Sequence, residues 1–316
     1  MRKRLLGKTG IEVSELSLGT WGLSGDGYGA VVEAEVDRVI DGALALGINL
    51  FDTADIYGKG AMERRLGERL PAEGAYVVTK IGTDLSSTPA QKRFDLDHLR
   101  PAFERSRERL RRDKLDVVLL HNPTMLAMSK TEPFDFLKEL KRLGALRAWG
   151  VSAGSLEVAR AAVRHGAEVV ELAYNVFLAG DLHQLSGDLA EQGSGVLARS
   201  VLAHGLLAGQ WSPEREFYHG DHRLNRWTEA ELKTRITQLD ALRPMVNGVG
   251  GPIVSVRAAA LRFALANNLV SSAVLGPRTV AQLEQLVREA GEGPPYLRDT
   301  ALAELSARLR AVGVVM

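Results

Sequence analysis

Three short runs put ionisable side chains directly after apolar stretches: Phe51-Asp52-Thr53-Ala54-Asp55-Ile56-Tyr57-Gly58, Val78-Thr79-Lys80 and Leu119-Leu120-His121-Asn122-Pro123. A carboxylate, a phenol, an ammonium and an imidazole are the parts of a general acid–base device. Each residue alone has a plainer use. Asp52 could cap a turn, Lys80 could carry its head to solvent, His121 could be a hydrogen-bonded core histidine, and Tyr57 could simply pack. Together they close three successive apolar runs and would converge, and burying that many polar groups to no purpose would be costly.

Convergence requires elements that deliver these ends to one place. Short apolar runs dominated by leucine and β-branched residues recur at Leu16–Thr20, Ile48–Ala54, Tyr76–Ile81, Leu115–His121, Leu146–Ser152, Val169–Val176, Val196–Leu202 and Ser271–Leu275, as in buried parallel strands. Helix-period segments lie between them: Val36, Val39, Ile40, Ala43; Leu96, Leu99, Phe103, Leu110; Leu156, Ala159, Val163; and Val280, Leu283, Val287, Ala290. Ser155 and Thr279 stand where N-caps belong, Gly47, Gly144 and Gly166 where helices end, and Pro101 needs a first-turn position. Eight alternating strand–helix units with no long linker predict a (β/α)8 barrel of one domain over residues 1–316. Residues 1–14 form a hairpin-like opening and 209–230 a long loop after the seventh strand. An open doubly wound sheet is the rival, but Gly22 to Gly29 lacks the dinucleotide-turn spacing. In a barrel the chemistry sits at the C-terminal strand ends, where the three runs finish.

Bulk properties narrow the partners. The 316 residues carry a net charge of +1, so no sustained field would hold nucleic acid or an acidic membrane. The basic-looking run Arg105 to Lys114 reads as a solvated helix face with Leu110 turned inward. The absence of cysteine excludes disulfides and thiolate chemistry and fits the cytoplasm. Met1-Arg2-Lys3-Arg4 resembles a signal opening, but Gly7, Lys8, Thr9, Gly10 and Glu12 interrupt any apolar segment, so no export or membrane span is expected. A small molecule is the expected partner. Oligomeric state is open, with a homo-oligomer allowed.

Phe-Asp-Thr-Ala-x-x-Tyr-Gly, Val-Thr-Lys and Leu-His-x-Pro, in this order, resemble the tetrad motifs of the aldo-keto reductase family. The resemblance extends to Leu18-Gly19-Thr20-Trp21, Trp149-Gly150-Val151-Ser152, Tyr174-Asn175 and Gly276-Pro277-Arg278-Thr279, nearly the whole chain. It implies reversible NADPH-dependent reduction of aldehydes or ketones. Tyr57 would be the proton donor, Lys80 and Asp52 its tuning pair, and His121 the group orienting the carbonyl. A free tyrosine titrates near ~10, and lowering that value by about two units with a nearby ammonium corresponds to roughly 2.7 kcal/mol. Asp52 would keep Lys80 charged.

The resemblance also implies a nicotinamide site built from Gly19, Thr20, Trp21, Ser152, Glu171, Arg199, Ser200, Leu202, Gly205, Leu206, Gly276, Arg278 and Gln282. Arg278 would meet the adenosine 2′-phosphate at a helix N-terminus, favouring NADPH over NADH. The chain departs from the common pattern at Ala153 and Leu286, which replace asparagines, at Glu171, which replaces a glutamine, and at Arg199, which replaces a ring-stacking tyrosine. Arg199 could still cover the nicotinamide with its planar guanidinium. The 209–230 loop, with Trp211, Phe217, Tyr218, His219, His222 and Trp227, is expected to shape specificity or cover the cofactor. His219, Asp221 and His222 lack a well-spaced further ligand, so loop hydrogen bonding is expected of them rather than a metal. Trp21 is expected in the pocket wall and Trp149 in the core. Two rivals keep the fold: a regulatory binding subunit, and a lyase using Lys80 as a Schiff base, which Asp52 would oppose.

Overall fold

The computed structural model describes residues 1–246 and 253–314, so the last two residues of the single-domain span lie outside the described residues. Eight parallel strands close on themselves: β1 (Leu16–Gly19), β2 (Leu50–Asp52), β3 (Tyr76–Ile81), β4 (Leu115–His121), β5 (Leu146–Ser152), β6 (Val169–Ala173), β7 (Gly195–Arg199) and β8 (Val270–Leu275). Each pairs with its chain neighbours, and β8 closes onto β1 through Ala273–Leu16, Val274–Ser17 and Leu275–Leu18. This is the (β/α)8 barrel that the alternation predicts. The strands are continuous apolar runs because both faces are covered; every residue of β4 is buried.

One face fills the barrel. Leu50, Val78, Val117, Leu119, Ala148, Val169 and Leu197 pack together, and Leu6, Ile11 and Val13 join them from the N-terminal hairpin Lys3–Leu5/Glu12–Ser14. That hairpin plugs the N-terminal end of the barrel, opposite the strand ends that carry the ionisable groups. At its tip Gly7 has φ +53° and lies so near β7 that a Cβ would sit 2.2 Å from the Gly195 nitrogen, a position only glycine fits. The outer face packs against helices. Ser155 and Thr279 cap theirs through bonds from the Val158 and Gln282 amides, and Gly47, Gly144 and Gly166 adopt φ of 82°, 79° and 85°.

Some expectations give way. The ladders of β2, β6 and β7 stop earlier than their apolar runs, at Asp52, Ala173 and Arg199, and the residues beyond turn into the mouth. Pro101 stands in the second turn of helix Leu96–Leu110, not the first. It is tolerated on an exposed face, where water can serve the Asp97 carbonyl deprived of its amide donor. Helix Val256–Ala266 escapes the periodicity because it is apolar on nearly every side: eight of its residues are buried. Helix Asp299–Ala311 is an addition after the last unit and buries Ala301, Leu305 and Leu309.

The Arg105–Lys114 face is not simply solvated. Arg109 turns inward to the carboxylate of Glu63, which is wholly buried, at 3.1 Å, and Arg112 meets buried Asp116 at 3.0 Å. The buried acids recruit these two cations, which the charge pattern alone could not reveal. Thr79 Oγ1 supplies Glu63 with a second partner at 2.6 Å. Replacing Arg109 by Ala strands that carboxylate, so chemical denaturation should report a loss of about 3–5 kcal/mol. A loss within the range of ordinary surface changes, about 0.5 kcal/mol, would show that Glu63 does not need its cation.

Candidate active site

At the C-terminal ends of the strands a cleft of about 810 Å³ opens, lined by Asp52, Tyr57 and His121 at one end and by Arg278 and Gln282 at the other. Lys80 lies just beneath it, 1% exposed. Its Nζ donates to Asp52 Oδ2 at 2.5 Å and to the Thr53 carbonyl at 3.0 Å, and stands 3.3 Å from Glu171 Oε2. Strands β2, β3 and β6 thus deliver one ammonium between two carboxylates. Tyr57 follows β2 on a turn containing Gly58 and Lys59, both with positive φ, and its ring centroid is 5.5 Å from Lys80 Nζ. The Tyr57 and His121 rings meet edge-to-face at 6.1 Å, so phenol and imidazole face one volume. Lys92 anchors the His121 backbone carbonyl at 2.8 Å, while the His121 Nδ1 is buried without a partner.

Burial alone would lower Lys80, but the charges of Asp52 and Glu171 more than offset it and hold the ammonium above its ordinary value. This is the charged lysine expected of the pair. Asp52 is pushed well above the usual carboxylate range by burial and by the Glu171 charge. Burial works against the Glu171 anion too, yet Lys80, Asp52, Arg199 and Ser152 together hold it below its ordinary value. The phenol is a correction to the sequence expectation. Burial raises Tyr57, and although Lys80 and Arg199 pull it down, Asp52 and Glu171 work against them. Burial outweighs the pull of the ammonium, which the two carboxylates oppose, so Tyr57 stays protonated through the neutral range. His121 is lowered well below its ordinary value by burial and by Lys80, Lys92 and Arg199, so its ring is neutral.

Most residues expected around a cofactor line the same cleft: Gly19, Trp21, Ser152, Glu171, Arg199, Ser200, Leu202, Gly205, Gly276, Arg278 and Gln282. Thr20 and Leu206 stand behind the wall. Thr20 Oγ1 donates to the Asp52 carbonyl at 2.9 Å, and Leu206 is buried in the apolar core. Trp149 is also in the core, against Phe134, whereas Trp21 lines the mouth. After β7 the backbone turns through positive φ at Ser200 (56°), Ala203 (45°) and His204 (59°), a concentration of strain of the kind found at ligand sites. Five arginines line the cleft: Arg199, Arg223 and Arg257 are paired with Glu171, Asp221 and Glu289, whereas Arg226 and Arg278 have no carboxylate partner among the described residues. A cleft with two cations free of carboxylate partners, Arg226 and Arg278, a helix N-terminus at one end and the unpartnered Nε of Arg278 fits a dinucleotide with its anionic centre.

Arg278 itself is already engaged. Its two terminal nitrogens donate to the carbonyls of Tyr28 (2.8 Å), Gly29 (3.0 Å) and Ala30 (2.6 Å). Glu35 takes the Val280 amide at 2.9 Å, leaving a carboxylate at the start of helix Val280–Ala290.

The 209–230 loop crosses to the opposite rim. Asp221 forms an antiparallel bridge with Tyr28, and the His222 amide bonds the Gly27 carbonyl at 2.9 Å. Arg223 is the hub: it pairs with Asp221 and lies over the rings of Tyr28, Trp211 and Phe217 at 4.8, 5.5 and 4.9 Å. Sequence reasoning named Trp211 and Phe217 but not Tyr28 or Arg223, whose meeting exists only once the loop is folded. His222 packs against Trp21 with ring centroids 4.5 Å apart and planes tilted by 51°, and His219 is exposed. Among the described residues no group of His, Cys, Asp and Glu gathers as a metal site. None of the described helices is long and apolar enough to cross a membrane.

Comparison with known proteins agrees with this geometry. The family model "Aldo/keto reductase family" matches residues 15–291. The chain is 30% identical to L-galactose dehydrogenase of Arabidopsis thaliana over 98% of its length and 94% of the relative's. It is 28% identical to D-threo-aldose 1-dehydrogenase of a Pseudomonas species, over 83% of this chain and 84% of the other. The structure of a glycerol dehydrogenase from Gluconobacter oxydans superimposes with a TM-score of 0.82 at 25% identity, covering 99% of this chain and 96% of that one. With barrel, strand-end residues and family match in agreement, the chain belongs to the aldo/keto reductase family, whose members are NAD(P)-dependent oxidoreductases acting on carbonyl or alcohol groups.

Proposed function

We propose that the protein reduces aldehydes or ketones with NADPH, reversibly, with Tyr57 as the general acid. The observation that carries this reading is the meeting of Tyr57, Lys80, Asp52 and His121 at one end of a cation-rich cleft. The nicotinamide supplies hydride to the carbonyl carbon when it is bound. The chain's own residues handle the oxygen. Tyr57 donates its proton as negative charge develops there, and the neutral His121 ring offers a second donor to the same oxygen. A developing alkoxide is a much stronger base than a phenolate, so a phenol raised by burial still gives up its proton to it. Ser152 and Arg199, which line the same cleft, would hold the nicotinamide end, and the 209–230 loop would help to exclude water there. The doubly ion-paired Lys80 is poorly suited to Schiff-base chemistry, which needs a neutral amine.

A second reading of the coenzyme has a specific observation behind it. Arg278 is spent on carbonyls and the Val280 amide is taken by Glu35, itself paired with Arg38, so little at this helix start is left to meet a 2′-phosphate, an arrangement that favours NADH. The names of the relatives point to polyhydroxylated substrates. The test is a panel of aldehydes, ketones, aldoses and polyols assayed with each coenzyme. Carbonyl-dependent oxidation of NADPH with kcat/KM at least about tenfold above NADH, equivalent to about 1.4 kcal/mol, supports the first reading. The reverse ratio would transfer the assignment to NADH. Coenzyme binding with no turnover of any substrate would favour a regulatory binding subunit.

A further inference from the structure

Glu171 touches both cations of the inner cleft. Its Oε2 lies 3.3 Å from Lys80 Nζ, and its Oε1 is 3.7 Å from Arg199 Nε and accepts from Ser152 Oγ at 2.9 Å. The side chain is 2% exposed, whereas that of Arg199 is 30% exposed and reaches the cleft wall. Arg199 has one other fixed partner, the Ala153 carbonyl at 2.8 Å. Lys80 stands beside the Tyr57 ring, so a single buried carboxylate joins the group next to the phenol to the group at the cofactor wall.

We propose that Glu171 is a positioning residue that couples proton donation to coenzyme seating, holding the Lys80 ammonium behind Tyr57 with one oxygen and the Arg199 guanidinium at the cleft wall with the other. The proposal rests on the reading of Tyr57 as the acid. Two consequences follow. Glu171 opposes ionisation of Tyr57, since a fixed anion disfavours a second one nearby. It also fixes the orientation of Arg199, because a guanidinium with a single carbonyl partner is free to swing into solvent. The charged or titratable groups facing Tyr57 are Lys80 from β3, Asp52 from β2, Glu171 from β6, Arg199 from β7 and His121 from β4.

The experiment compares Glu171→Gln, Arg199→Met and the double variant, with Glu171→Asp as a charge-retaining control. Coenzyme binding is measured by fluorescence titration and alcohol oxidation as a function of pH. Glu171→Gln should move the rising limb of alcohol oxidation to lower pH, and Glu171→Asp should leave it nearer the wild-type position. Glu171→Gln should also weaken coenzyme binding several-fold, but not further when Arg199 is already Met. Equal weakening in both backgrounds, or an unmoved limb, would overturn the proposal. Should Glu171→Gln fold poorly, as its thermal midpoint would reveal, the decision passes to Glu171→Asp. Its shortened side chain should lose the Arg199 contact, weakening coenzyme binding while preserving the pH limb; wild-type binding there would count against the coupling. The binding cycle does not depend on turnover, so its failure is distinct from a failure of Tyr57 as the acid, which would show as activity retained in Tyr57→Phe.

Discussion

Tyr57→Phe should lose carbonyl reduction by roughly 10²–10⁴-fold, the usual contribution of a positioned general acid, with coenzyme affinity unchanged. The variant keeps the ring that meets His121 edge-to-face and removes only the hydroxyl. The loss should fall on kcat and kcat/KM alike, because the proton is needed only as the oxygen gains charge. The same group sets the pH dependence. Its folded value is raised above that of an ordinary phenol, so the acid form persists through neutrality and is lost only at high pH. Reduction should therefore stay level across the neutral range and decline on the alkaline side, while alcohol oxidation, which needs the phenolate as base, rises there. His121 is held neutral and should add no limb near its ordinary value of about 6.5. A reduction profile that falls through neutrality would point to another acid.

Lys80→Met is expected to lose activity by a similar factor, roughly 10²–10³-fold, for a different reason. The variant removes the cation that opposes Asp52 and Glu171, leaving two buried acids in contact. The phenol then faces uncompensated negative charge and resists becoming phenolate, so alcohol oxidation should suffer more than carbonyl reduction. Stability should also fall at neutral pH, by about 3–5 kcal/mol for a buried pair deprived of one partner. The sign with pH is fixed. Without Lys80 the carboxyls are raised above their unfolded values of about 4, so the penalty exists above that range and disappears as pH falls into it. A variant equally destabilised at pH 4 and pH 7, to within about 0.5 kcal/mol, would show that packing rather than charge is responsible.

Much of this site could be read from the sequence because a barrel strand buries nearly every residue along its length. A polar residue at the end of such a run, as with Lys80 after Val78-Thr79, therefore stands out against its neighbours. The order of runs gives the fold for the same reason. The contact between Lys80 and Glu171 is invisible in the sequence, since β3 and β6 are not adjacent in the barrel and meet only across its mouth. The upward shift of Tyr57 comes first from its burial, with Asp52 and Glu171 adding to it, and so could not be anticipated from Lys80 alone. Thr20 and Leu206 belong to conspicuous segments, yet one side chain is drawn to the Asp52 carbonyl and the other into the core. Arg223 gives no local signal because its ring partners come from both sides of the cleft.

Rapid mixing of coenzyme-loaded enzyme with a carbonyl substrate, following nicotinamide absorbance through one turnover in wild type and Tyr57→Phe, isolates the chemical step from product release. If the phenol beside Lys80 is the proton donor, the variant binds coenzyme as tightly as wild type and transfers hydride at least about a hundredfold more slowly. Hydride transfer at nearly the wild-type rate in that variant would contradict the assignment.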